Sequence, residues 1–292
     1  MAYGKTASRK GTVKREEALQ RLKADLAAGT PRRAYIFHGE EAYLRDYYLD
    51  KLRGTLIEET FSAFNYHRVE GKELAVQDLR EMVEDFHNIL REKKDLIKVG
   101  IVGEIYVKYA AFGNNGLERF LLSQGCEYMV PGVLGFFQYC FANMETDRRY
   151  YGTPLVNVWA GKLAGRIADH WEQAMLDALE PYPEFTAPVA FDRVKELADR
   201  VIDRGVKMGE GWLLPGETAE LIEKGYTSVI CAQPFGCLPN HIVGKGTIRR
   251  LRELYPQANI FPVDYDAGAS KVNQENRIKL MLAIAREQEA AS

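Results

Sequence analysis

From Lys98 onward, short β-rich apolar runs alternate with helix-length amphipathic segments, and that alternation admits few folds. KVGIVG (Lys98–Gly103) is followed by LERFLLSQG, a helix closing on Gly125, and then by the strand CEYMV; together they make one β-α-β unit. Near the C-terminus the rhythm returns: TSVICAQ reads as a strand, IVGKGTIRRLRELYP as a helix, ANIFPVDYD as a strand, and SKVNQENRIKLMLAIAREQ as a final helix capped by Ser270. Strands that alternate with helices imply a parallel sheet covered on both faces, an α/β and Rossmann-like arrangement. Between the two blocks lies a helical middle, VLGFFQYCFANM and WAGKLAGRIADHWEQAMLDAL, ending at the Pro-rich PYPEFTAP. After it, Val194, Leu197, Ala198, Val201 and Ile202 form one amphipathic stripe.

The front of the chain reads as a separate, smaller piece. Residues 1–15 are a basic tail expected to be disordered, and 16–85 and 86–292 are the two expected folded segments. Ala18, Leu19, Leu22 and Leu26 have helical spacing that stops at Gly29, with Pro31 beyond. Ala34–Gly39 reads as a buried strand, and Tyr43, Leu44, Tyr47, Tyr48 and Leu52 form the stripe of the helix after it. A second short strand is expected at Phe64–Val69, then a helix whose inward face is Leu74, Leu79, Met82, Val83 and Phe86.

The net charge of -2 gives no field that would draw the chain to nucleic acid or to an anionic bilayer. No apolar run reaches the roughly 18 to 20 residues that span a membrane, so a cytoplasmic protein is expected, with no membrane partner and no direct contact with nucleic acid. Four cysteines in 292 residues do not make a disulfide framework.

Chemistry is expected where strand TSVI hands over to its helix, because open parallel sheets collect ligands beyond the C-terminal ends of their strands. There CAQPFGCLPNHI offers Cys231, Cys237 and His241, two soft ligands and one borderline one, between the stiffening Pro234 and Pro239. By spacing alone a cysteine at the end of a strand reads first as a small apolar side chain. Zinc would want a fourth ligand and tighter pairing, and a cluster would want thiolates from several segments. Gln233 and Asp264 are candidates to support such ligands by hydrogen bonds; Asp264 and Asp266 also read as ordinary turn residues at the end of a strand. KVGIVGEIYVKY lacks G-x-G-x-x-G, and GKGTIRR at Gly244 has Pro239 and Gly246 where a phosphate loop needs Gly and Ser or Thr, so no NAD or ATP site is expected by motif. His38, His67, His87 and His170 have no local partners that suggest a relay or a metal.

KVGIVGEIYVKYAAFGNNGLERFLLSQGCEYMVPG, GEGWLLPGE, CAQPFGCLPNHIVGKGTIRRLRELYP and VDYDAGASKVNQENRIKLML, in this order across residues of about 93–292, resemble the dehydratase-like region of 2-hydroxyglutaryl-CoA dehydratase activases and the 2-hydroxyacyl-CoA dehydratase family. The resemblance implies anaerobic chemistry in which an ATP-hydrolysing activase passes an electron to a component holding a [4Fe-4S] cluster. It places Cys231 and Cys237 at the family's cysteine segment, Cys237 first because it lies in the loop, and it implies an activase ATPase domain or a dehydratase subunit as partner. The nucleotide-binding domain and the upstream cysteine segments of that family are absent, so the implied ligand set is incomplete here. LKADLAAGTPRRAYIFHGEEAYLRDYYLDKLRGTLI with FNYHRVEGKEL, residues of about 15–85, is similar to the start of the DNA polymerase III delta subunit. That implies a truncated AAA+-like segment without an ATP site and, through 16–85, clamp-loader subunits as partners. The two resemblances meet near Leu79 to Phe86, as in a fusion of two truncated genes.

Overall fold

A computed structural model describes residues 15–29, 42–56, 75–91, 94–266, 268 and 270–291. Contacts divide the chain into two units, Met1–Leu74 and Ala75–Ser292. In the first, α1 (Arg15–Ala27) and α2 (Ala42–Leu56) bury Leu22, Tyr48 and Leu52 together, with Leu19 and Leu26 against them. Tyr43, Leu44 and Tyr47, expected in the stripe of α2, are exposed. The expected strands at 34–39 and 64–69, and the tail through residue 14, lie outside the described residues.

The second unit runs α3 (Val76–His87), β1 (Ile97–Gly103), α4 (Ile105–Tyr109), α5 (Leu117–Ser123), β2 (Cys126–Met129), α6 (Val133–Tyr151), α7 (Leu155–Leu179), α8 (Phe191–Asp199) and α9 (Leu213–Glu223). It continues with β3 (Ser228–Pro234), a π-helical turn at Asn240–Gly244, α10 (Ile248–Leu254), β4 (Asn259–Tyr265) and α11 (Lys271–Ala291). The strands form one parallel sheet in the order β2-β1-β3-β4. Apolar side chains alternate between its faces, as a strand covered on both sides requires. Val99, Ile101, Ile230, Ala232 and Val263 pack with Leu117 and Leu121 of α5 and with Ile278, Met281 and Leu282 of α11. Val102, Val229, Cys231 and Ile260 pack with Leu197 of α8, Ala219, Leu221 and Ile222 of α9, and Leu251 of α10. The Rossmann-like α/β character expected from the alternation is thus present.

Two local readings need correction, and one buried helix has no reading in the sequence to set it against. Met82 and Phe86 do not face inward: α3 has no buried residue, because it rests against the outer helical layer and not on the sheet. The segment expected as one helix from Ile242 is broken into the π turn and α10. A side-chain β-carbon at Gly244 would lie 3.1 Å from Cys231 Sγ, so the turn brings bare backbone against that thiol. And α9, entered through Pro215 in its first turn, is a buried helix that periodicity did not announce, since residues 213–222 are buried on every side, polar ones included.

The strand order reverses between β1 and β3: the chain steps from β1 outward to β2, then returns to the other side of β1 for β3. Gly103 stands at this switch, with φ +138, its position so close to β3 that an added β-carbon would meet the Ala232 carbonyl oxygen at 1.9 Å. Gly103→Ala therefore should cost about 3 kcal/mol of stability, from strain and from the clash with backbone that cannot yield. Urea unfolding monitored by circular dichroism measures it.

Candidate functional site at the switch point

The reversal opens a crevice beyond the C-terminal ends of β1 and β3, the general ligand position of open α/β sheets. Three segments meet there: the turn from β1 into α4, the loop before α9, and the turn from β3 through Cys237 to the π turn. Glu104 caps α4 by accepting from Val107 N at 2.8 Å. One turn on, Lys108 is 2% exposed and donates to both oxygens of Glu217 on α9, at 2.9 and 3.0 Å. Burial pulls the ammonium down, but the Glu217 charge and its hydrogen bonds more than offset this, so the pKa of Lys108 is raised. Burial also lifts that of Glu217.

Glu210, buried in the loop before α9, joins the other two segments. One carboxylate oxygen accepts from Ile105 N at 3.1 Å and the other from Asn240 Nδ2 at 3.2 Å. The loop is held from behind by Tyr139, whose hydroxyl donates to the Lys207 and Gly209 carbonyls. Asn240 is fully buried and stands between the two cysteines: its Nδ2 lies 3.3 Å from Cys237 Sγ, and its Oδ1 3.9 Å from Cys231 Sγ. Cys231 is buried in β3, and burial, with the Glu210 charge adding, pushes its thiol up to about 12. It remains a thiol. Cys237, half-buried in the turn, is one helical turn before His241, whose N–H donates to the Cys237 carbonyl at 2.9 Å.

Asp264, at the end of β4, completes the rim. Register places it beside Gln233, and the Gln233 amide donates to Asp264 Oδ1. Lys245 Nζ lies 3.3 Å from each carboxylate oxygen and 3.5 Å from His241 Nδ1. His241 Nε2 is 3.2 Å from Asp264 Oδ1 but off the line of a hydrogen bond. Partial burial would raise the carboxyl of Asp264; Gln233, Lys245 and the His241 charge overcome this and hold it below the usual value. Phe235, Leu238 and Ile242 surround this rim and are exposed.

The segment expected to carry chemistry is therefore at the expected edge of the sheet. Gln233, Asp264 and His241 converge there, and the two cysteines share Asn240. Asp266 is not drawn into the cluster by any described hydrogen bond or ion pair. Cys231, Cys237 and His241 do not gather into one coordination set: among the described residues no three His, Cys, Asp or Glu side chains are placed to hold a metal ion. Lys108, Glu210, Glu217, Asn240 and Lys245 carry no local signal in the sequence, since the partners that bring the four charged ones and Asn240 together are distant in the chain. A separate cleft of about 830 Å³ lies between α6, α7 and α8, near Arg149, Arg166 and Lys195, and contains none of these residues.

The fold and crevice define an α/β protein of Rossmann-like type with a polar, thiol-bearing site at a topological switch point. No helix among the described residues is long and apolar enough to cross a membrane. No family model, no curated protein and no solved structure matches the chain.

One turn beyond Glu217, Glu220 accepts from Val189 N at 2.8 Å, and burial raises its carboxyl to about 7. Because the folded value lies above the unfolded one, its contribution is full below about pH 4.5 and is lost as pH rises through 7. Glu220→Gln should remove about 2 kcal/mol of the stability that the wild type loses between pH 5 and pH 8. Urea unfolding at the two pH values tests this.

Proposed function

We propose that this chain is a component of an anaerobic CoA-thioester dehydratase and activase system, incomplete when isolated, in which Cys237 is the thiol offered to an iron-sulfur centre. The observation that carries the reading is the place of Cys237: beyond the end of β3, hydrogen-bonded by the buried Asn240, on a rim of exposed apolar side chains where a partner can seat. The resemblance of CAQPFGCLPNHI to the family's cysteine segment supplies the chemistry.

A [4Fe-4S] cluster takes four thiolates, or nearly so. The donor set here does not fit one held by this chain alone. Cys231 faces Glu210 and the Gln233 and Asn240 oxygens in a buried position that keeps its proton, and only Cys237 is suited to ligation. The remaining ligands belong to the partner, an activase ATPase domain or a dehydratase subunit. Within this chain, Asn240 orients the Cys237 sulfur through its N–H, while Asp264, set between Lys245 and His241, fixes the rim.

A second reading concerns residues 16–85, an AAA+-like fragment of delta-subunit type that binds clamp-loader subunits. The exposed Tyr43, Leu44 and Tyr47 of α2 favour it, as an aromatic face available to a partner. Under a third, the chain is an inactive fusion of two truncated genes. The unit boundary after Leu74, just before the stretch where the resemblances meet, is in keeping with that.

Anaerobic reconstitution with ferrous iron and sulfide distinguishes these. Protein-bound iron that Cys237→Ala removes, and that Cys231→Ala leaves within about twofold, is the expected result; a colourless, iron-free protein overturns the iron-sulfur assignment.

A further inference from the structure

The cleft between α6, α7 and α8 has a volume of about 830 Å³, within the range of small-molecule pockets, and it shares no residue with the thiol site. Two cross-links join α6 to α7 along it: Gln138 to Asp169 at 3.1 Å and Lys162 to Glu145 at 3.5 Å. Arg166 lies between them, four residues after Lys162 and three before Asp169, so the three share one face of α7.

Two glycines of α7 line the cleft, for different reasons. A β-carbon at Gly161 would sit 2.9 Å from the Phe141 carbonyl oxygen, so the packing of α6 on α7 demands that glycine. At Gly165 an added β-carbon would meet nothing within 4 Å. A glycine inside a helix is destabilising relative to alanine, and here no contact of the fold requires it. The space it leaves belongs to the cleft.

The charges are unbalanced in the same place. Basic side chains outnumber acidic ones by six to four along the walls. All four acids have partners: Glu145 and Asp169 in the cross-links, Asp199 with Arg204 at 2.9 Å, and Asp203 with the Tyr150 hydroxyl at 2.7 Å. Exposed Arg166 has no hydrogen bond or ion pair among the described residues. It stands one turn after Lys162, like charge beside like charge, an arrangement that costs stability until an anion arrives. From α8 comes Lys195, paired with the exposed Asp192, and from α6 comes Arg149, which lies over the Tyr150 ring and in no ion pair among the described residues.

Guanidinium groups match the oxygens of a phosphate, while a carboxylate that already has one partner keeps lone pairs for a hydroxyl donor. A cleft with both kinds of group around bare backbone suits a molecule with a phosphate at one end and hydroxyls on the rest. We propose that this cleft binds a sugar phosphate, its phosphate held by Arg166 with Lys195 and Arg149 in support, its sugar over Gly165 and donating to Asp169 and Glu145. The thiol assignment and this one stand or fall separately.

Isothermal titration of the full chain at fixed ionic strength tests it, with ribose 5-phosphate, glucose 6-phosphate, inorganic phosphate and free ribose as probes. One or both sugar phosphates should bind about tenfold or more tighter than inorganic phosphate, and free ribose should not bind. Arg166→Gln, a change at an exposed position, should weaken sugar phosphate and inorganic phosphate alike by about tenfold or more. Gly165→Leu, where the added β-carbon meets only open space, should abolish the advantage of the sugar phosphate over inorganic phosphate and leave the circular dichroism unchanged. Failure of both sugar phosphates to bind, affinity no higher than that of inorganic phosphate, or affinity unchanged by Arg166→Gln overturns the proposal.

Discussion

The buried contact between Lys108 and Glu217 is the interaction on which the rest of the site depends. It ties the helix that leaves β1 to the helix that underlies the sheet, and it does so with two charges taken almost wholly out of water. Such a pair adds little over apolar groups of the same shape, because desolvation consumes most of the attraction. What it imposes is direction. With Lys108 held down onto α9, the first turn of α4 presents its free backbone N–H to Glu210, and the second oxygen of Glu210 is left for Asn240. The asparagine in turn sets the two cysteines apart. The position of Cys237 at the crevice thus traces back to an ion pair that does not touch it.

The sequence made the sheet legible because its strands carry the plainest of signals. KVGIVG, CEYMV, TSVICAQ and ANIFPVDYD are short apolar runs between helix-spaced segments, and each is a strand of the parallel sheet. The same regularity placed the candidate segment at the right edge. What was not legible is polar and buried. α9 has no amphipathic stripe to find, since Glu217, Thr218 and Glu220 are as buried as Leu213 and Leu221, and the reason is pairing across the fold: Glu217 meets a lysine 109 residues away. Local pattern cannot contain such a partner. Met82 and Phe86 failed in the opposite direction, since apolar spacing marks a helix without saying whether anything covers it.

The two cysteines show how position separates residues that spacing could not. Six residues apart, both read as possible ligands; one lies on a strand with its sulfur against Gly244 and carboxylates nearby, the other in a turn where an amide N–H meets it. The former is part of the core, the latter is half-buried at the rim. Beyond the sheet, the helical middle supports the thiol site without supplying it a side chain: it holds the Glu210 loop through Tyr139 and turns the large side chains of α7 outward.

A double-mutant cycle on the buried pair tests this ordering of causes most directly. Lys108→Met and Glu217→Leu should each cost about 3–5 kcal/mol in urea unfolding, because each strands one charge in the interior. The double substitution should cost less than either alone, since it removes both charges and keeps the packing. Two single losses below about 0.5 kcal/mol, or a double loss equal to their sum, would contradict the account.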